Sequence, residues 1–229
     1  MACAKCLQDQ GLNDLVILEQ ADQVASKWRA HYDRLHLHTS KNWSELPGKK
    51  YPSEQPKYPP RVAVVQYLEE YAREHGLRPV FNTTVQHIKR QTDGLWQVQT
   101  NHETYTARNL IMATGLNYTP KMPQYEGLDD YMGQLLHSSQ YKNGQPFTGQ
   151  KVLVVGFGNS GCEQAICLHE HGAFPSLSVR SGVNVLPRDI LGMPVLEASK
   201  LTKWLPPKLR TGSIGRLFIF TLVTLRNMV

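Results

Sequence analysis

The stretch Lys151-Val-Leu-Val-Val-Gly156-Phe157-Gly158-Asn159-Ser160-Gly161 decides the fold. An apolar run of strand length leads directly into G-x-G-x-x-G, and helix-forming residues follow it. Gly156 allows a tight turn out of the strand. Gly158 leaves the backbone bare for a diphosphate, and Gly161 lets the helix pack close to the sheet. The first amides of that helix then face the phosphate charge, helped by the helix dipole. Asn159 and Ser160 also suit a plain helix N-cap, which is compatible with the same geometry. The motif predicts a strand over Lys151–Val155, a helix over Ser160–His171 and a further strand over Ser176–Val179. The last strand runs into Arg180-Ser181. An NAD site places an acid there for the ribose 2′-hydroxyl, whereas a guanidinium and a hydroxyl suit a 2′-phosphate, so NADPH is the expected nucleotide.

Toward the N-terminus the pattern has a partial echo. Ala2–Gln10 has helical composition and meets Gly11, a suitable C-terminal cap. Leu15–Leu18 has the look of a buried parallel strand, and Glu19 at its end is placed to accept from a ribose hydroxyl. This is the back half of a second βαβ unit, with no strand or glycine loop ahead of the helix. The segment Trp43–Pro60 carries Pro47, Pro52, Pro56, Pro59 and Pro60 and predicts an irregular loop that covers something. Val62–Glu74 predicts an amphipathic helix with Val62, Val65, Leu68 and Ala72 on its apolar side. From Val80 to Met112 the period changes to two, with strands at Thr84–Ile88, Leu95–Thr100 and Thr104–Thr106, a tight turn at Asp93-Gly94, and a strand at Asn109–Met112. A polar connection follows Ala113-Thr114-Gly115, and the tail from Met193 reads as helical, broken at Pro206-Pro207.

The expected class is α/β, with two Rossmann-like, three-layer dinucleotide-binding domains and an antiparallel meander. The first domain, residues 1–145, is expected to lack its opening strand and glycine loop. The second, residues 146–229, is expected to be incomplete at its C-terminal side.

Composition narrows the function classes. A hydrophobic content of 41% with 19% charged residues describes a folded globular chain and not a disordered one. The net charge is +6, but the basic residues are scattered, so no nucleic-acid partner is expected. Met1–Gln10 lacks the pattern of a secretory signal. The most apolar stretch, Leu217–Leu225, has nine residues where a membrane span needs ~20. Cys3 and Cys6 have C-x-x-C spacing with no second ligand pair, and Cys162 and Cys167 point to different sides of a helix, so reduced thiols in a cytoplasmic protein are expected, with no metal site. A homo-oligomer is left open.

Four stretches resemble the flavin-containing monooxygenase family, and within it the YUCCA-like branch that converts indole-3-pyruvate to indole-3-acetate. Tyr131-Met-Gly133-Gln-Leu-Leu-His137-Ser-Ser-Gln-Tyr141 is similar to the family's F-x-G-x-x-x-H-x-x-x-(F/Y/W) fingerprint, with Tyr131 in place of Phe. Ala113-Thr114-Gly115, the glycine motif at 156–161, and Val179-Arg180-Ser181 with Val185-Leu186-Pro187-Arg188 complete the likeness. The resemblance implies FAD and NADPH as cofactors, a small-molecule substrate and O₂ as partners, and oxygenation through a C4a-hydroperoxyflavin, with the chemistry carried by the cofactor.

It also implies site residues. FAD would be bound by Glu19, Lys27, Trp28, His38, Thr39, Val85, Ala113, Thr114 and Gly115. NADPH would be bound by Gly156, Gly158, Asn159, Ser160, Gly161, Arg180 and Ser181. Lys41 would flank the isoalloxazine, and His137 is a candidate acid–base residue, although the fingerprint reads better as a coupling between domains. Because family members begin with a strand and a flavin glycine motif, the chain is expected to be an internal portion of such an enzyme, binding FAD poorly by itself. A Baeyer–Villiger monooxygenase, a disulfide reductase and a non-catalytic nucleotide-binding remnant stay open as alternatives.

Overall fold

The computed structural model describes residues 1–115, 119–183, 185, 188–190, 192–194 and 197. Most of the tail expected to be helical, including Pro206-Pro207 and Leu217–Leu225, lies outside them, as do Leu186 and Pro187. Met193–Pro194, which the tail was expected to open as helix, instead forms a short strand.

Helices α1 (Ala2–Asp9), α2 (Ser26–Ala30) and α3 (Arg61–Glu74) precede a meander of β1 (Val85–Arg90), β2 (Trp96–Thr100) and β3 (Thr104–Ala107). Then come β4 (Lys151–Val155), α4 (Asn159–Glu170), β5 (Phe174–Ser178) and a small antiparallel pair, β6 (Asp189–Ile190) and β7 (Met193–Pro194). The three longer helices end alike. Leu12, Leu77 and Ala173 donate their N–H groups back to the carbonyls of Leu7, Ala72 and Leu168, across the glycine that follows each cap.

The meander follows its period-two pattern. β1 pairs with β2 and β2 with β3, both antiparallel. The Asp93-Gly94 turn closes with Gln91 N–H on Leu95 O at 2.8 Å and Leu95 N–H on the Asp93 carboxylate at 3.0 Å. The strand expected at Asn109–Met112 does not form a ladder among the described residues. Its apolar side chains find no partner layer there, and Ile111 and Met112 stand 53% and 63% exposed.

Leu15–Leu18 is likewise not a buried strand. It is reduced to one parallel bridge, Leu18 with Val80, continued by Thr83 N–H on Glu19 O at 2.9 Å. A parallel strand becomes buried when neighbours flank it on both sides. Here the described residues supply one neighbour, and Val16 faces outward.

α3 buries Val65 and Ala72 as expected, but its buried face is wider and shifted away from Val62. Val64, Tyr67 and Tyr71 face inward, whereas Val62 is exposed. The proline-rich loop explains the difference, because it covers the tyrosines. Tyr51 stacks on Tyr67 with centroids 3.9 Å apart. The Tyr67 hydroxyl accepts from Leu46 N–H and donates to Lys49 O, both at 2.7 Å, and Tyr71 donates to Pro47 O.

β4–α4–β5 forms the expected parallel unit, in the register Lys151↔Phe174 through Val155↔Ser178. β5 starts two residues earlier than expected and includes Pro175, which an edge strand tolerates because no second neighbour needs its missing N–H. Val152 and Val154 pack under α4 with Tyr32, Leu35, Tyr141, Cys167 and Leu168, so segments from both sides of residue 145 share one core. The opposite face of β4 shows Leu153 and Val155 to solvent. Two layers, not the expected three, are therefore present here among the described residues.

Candidate functional site

β4 leaves the sheet through Gly156, whose φ of +117° belongs to the left-handed half of the map and favours glycine. Its N–H is fixed on Ser178 O at 3.0 Å, which ties the turn to the end of β5. Gly158 is the N-cap of α4, and no side chain caps the helix. The first amides of a helix lack intrahelical acceptors, so this start offers N–H donors and positive dipole potential to whatever sits before it. A side chain on Gly158 would meet nothing within 4 Å, so the space in front of the loop is open. Gly161 is a different case. A Cβ there would collide with the carbonyl oxygen of Gly156 and lie 3.2 Å from its carbon. Arg180 and Ser181 follow β5 one residue after its end, past Val179, and are exposed at the same sheet end as the glycine turn.

Two cavities hold residues expected at the cofactors. One, about 330 Å³, is lined by Glu19, Gln20, Ala21, Ala25, Lys27 and Trp28 among others. It brings together three residues expected near FAD. Glu19 Oε1 accepts from Ala21 N–H at 3.0 Å, which orients the carboxylate, while Oε2 has no partner among the described residues.

The second cleft, about 260 Å³, joins the two halves of the chain. His38, Thr39, Ser40, Trp43 and Tyr58 come from the first half, and Asn159, Arg188, Pro194 and Glu197 from the second. His38 and Thr39, expected at the flavin, thus share a space with Asn159 of the glycine motif. Burial lowers the His38 pKa below its usual value, against an opposing pull from Glu163 and with help from His36 and Arg188. The Tyr58 hydroxyl donates to Asp189 at 2.6 Å, and burial with that bond pushes its pKa up to about 12.

Other expected residues fall elsewhere. Lys41 is not turned into the cleft, since its ammonium is held by the carbonyls of Pro52, Ser53 and Gln55 at 3.0, 2.8 and 2.7 Å. That makes it a staple of the proline-rich loop. Val85 sits on β1 opposite Thr100, and Ala113, Thr114 and Gly115 are exposed; none of these lines either cavity. His137 is engaged locally, with Nδ1 2.8 Å from Ser139 Oγ. The fingerprint that contains it is anchored on α4, where Gln164 donates to Ser138 O at 3.2 Å and Tyr141 is 6% exposed in the shared core.

The halves are also clamped by charge. Arg34 bonds both Glu163 and Glu170 of α4. Sequence reasoning missed Ser40, Tyr58 and Glu197 altogether, and gave Arg188 no role, because all four depend on loops meeting across the chain. Cys3, Cys6, Cys162 and Cys167 are free thiols. Among the described residues no helix is long and apolar enough to cross a membrane.

Comparison with known proteins gives a consistent picture. The profile of the family described as "Pyridine nucleotide-disulphide oxidoreductase" matches residues 1–184. The probable indole-3-pyruvate monooxygenase YUCCA4 of Arabidopsis thaliana is 43% identical over 212 residues, covering 91% of this chain and 51% of that protein. A flavin-containing monooxygenase from Stenotrophomonas maltophilia superposes with a TM-score of 0.75 at 27% identity, over 87% of this chain and 64% of that one. OTEMO, solved in complex with FAD and NADP, shares the fold with a TM-score of 0.66 at 24% identity, over 88% of this chain and 42% of its own. The chain spans about half the length of the curated relatives it matches.

Proposed function

We propose, for a chain that belongs to the pyridine nucleotide-disulphide oxidoreductase family, that the protein is an FAD- and NADPH-dependent monooxygenase of the YUCCA-like kind. One observation carries this reading: an uncapped helix start behind a glycine turn, with Arg180 and Ser181 at the end of the neighbouring strand. Those residues fit a dinucleotide. Gly161 is too close to Gly156 for any side chain, and the front of Gly158 is open.

Gly156, Gly158, Asn159, Ser160 and Gly161 would receive the NADPH diphosphate, and Arg180 with Ser181 its 2′-phosphate. Glu19 would accept from the FAD ribose, with Lys27 and Trp28 beside it in the same cavity and His38 and Thr39 at the flavin end. Residues 1–145 then form the flavin part and 146–229 the nicotinamide part. When bound, NADPH supplies the hydride and FAD the centre that activates O₂. The chain's own residues bind, orient and exclude water, with Trp43 and Tyr58 walling the cleft where the halves meet. His137 holds the local turn of the fingerprint through Ser139, while Ser138 and Tyr141 fasten that segment to α4.

The proposed reaction is oxidative decarboxylation of indole-3-pyruvate to indole-3-acetate, which rests on likeness to the named relatives. The test is NADPH oxidation by the FAD-loaded protein with indole-3-pyruvate, a tertiary amine or a cyclic ketone. Stimulation by indole-3-pyruvate alone is expected. Stimulation by the ketone would favour the Baeyer–Villiger alternative, and no stimulation by any of the three would overturn the oxygenase reading.

A further inference from the structure

We propose that Arg188 is the anion-recognition residue of the cleft between the two halves, holding the carboxylate of a small planar aromatic acid. This rests on the oxygenase reading above and adds a specificity-determining residue to it. The cleft, about 260 Å³, adjoins His38, Thr39 and Asn159, the residues assigned above to the flavin and to NADPH, so an acid held by Arg188 would lie beside the cofactors.

Arg188 is fixed without being neutralised. Its guanidinium carbon lies 4.1 Å from the Tyr58 ring centroid, and its Nη1 is 2.9 Å from His36 Nε2. A guanidinium can only donate, so Nε2 is the acceptor, and the His36 proton sits on Nδ1, facing Arg34 O at 2.9 Å. Among the described residues Arg188 forms no ion pair. Neighbouring acids are otherwise engaged: Asp189 by Lys57 and Tyr58, at 3.1 and 2.6 Å, and Glu163 by Arg34. The carboxylate that does line the cleft, Glu197, accepts from Ser40 at 2.8 Å. A planar cation with unused N–H donors matches a carboxylate in two-point geometry. The aromatic faces of Trp43 and Tyr58 supply flat apolar walls for the rest of the acid.

Calorimetric titration of the protein with indole-3-acetate, with its uncharged analogue indole-3-acetamide, and with 2′,5′-ADP tests the assignment. The acid should bind about tenfold more tightly than the amide, the gain of a charge-assisted pair. Arg188→Gln should erase that preference and Arg188→Lys should keep part of it, while both leave 2′,5′-ADP affinity unchanged, which also reports that the variants fold. Equal affinity for acid and amide, no binding of the acid, or a loss in Arg188→Gln that falls on 2′,5′-ADP would overturn the proposal. If 2′,5′-ADP does not bind but the acid preference and its loss persist, the nucleotide reading fails and Arg188 keeps its role.

Discussion

Gly161 packs against the carbonyl of Gly156 so closely that a Cβ would collide with the oxygen and lie 3.2 Å from the carbon. This contact seats the first turn of α4 on the turn that leaves β4. Gly161→Ala should therefore force the helix away and cost about 1–3 kcal/mol by overpacking. Gly158→Ala meets open space at an ordinary φ of −81°, so stability should change by less than ~0.5 kcal/mol while 2′,5′-ADP binding falls. Thermal unfolding with and without 2′,5′-ADP separates the two. Equal destabilisation by both variants would mean that the open space before Gly158 is not a ligand site.

Arg180 should discriminate between nucleotides. Arg180→Glu places an acid where a 2′-phosphate would sit, and should weaken NADPH by about tenfold or more while affecting NADH little. Dissociation constants for both nucleotides give the answer. Equal losses would remove Arg180 from the phosphate.

The Tyr67 hydroxyl links two backbone groups of the proline-rich loop, accepting from Leu46 N–H and donating to Lys49 O. Tyr67→Phe keeps the stacking on Tyr51 but leaves both groups unmatched. The expected loss is about 1–3 kcal/mol in urea unfolding. A change below ~0.5 kcal/mol would show that the loop does not depend on this hydroxyl.

Stability should fall on mild acidification. Burial lowers the pKa values of both His31 and His38 relative to an unfolded value of about 6.5. The unfolded chain then binds protons first, so the stability present above pH ~6.5 is lost as pH falls through the lower folded values. Tm should decline from about pH 7 toward 5.5, and His38→Gln should flatten part of that slope. An unchanged slope would place the titration elsewhere.

Much of the second half was legible because its signals are local. Glycine spacing, a run of valines and a helix start lie within eleven consecutive residues. The meander was legible for the same reason, through alternation and the Asp93-Gly94 turn. Strands were misread where pairing or burial depends on neighbours that the sequence does not announce, as at Leu15–Leu18, expected to be buried, and at Asn109–Met112. On α3, Val65 and Ala72 were legible, whereas Val62 was misassigned and Tyr67 and Tyr71 were missed, because the tyrosines are buried by a loop whose path no periodicity encodes. The site shows the same division. Glu19, Lys27 and Trp28 lie within one short segment and do share a cavity. Lys41 was expected beside the isoalloxazine, but the loop folds three carbonyls onto its ammonium. Arg188, Tyr58 and Ser40 meet only through tertiary structure, and their grouping could not be seen in one dimension.

The central claim concerns what the bare start of α4 receives. Adding 2′,5′-ADP to isotope-labelled protein and following backbone amide resonances should shift Gly156 through Gly161 together with Arg180 and Ser181, leaving the meander Val85–Ala107 unmoved. Saturating nucleotide that leaves the amides of the glycine turn in place, or moves the meander instead, would contradict it.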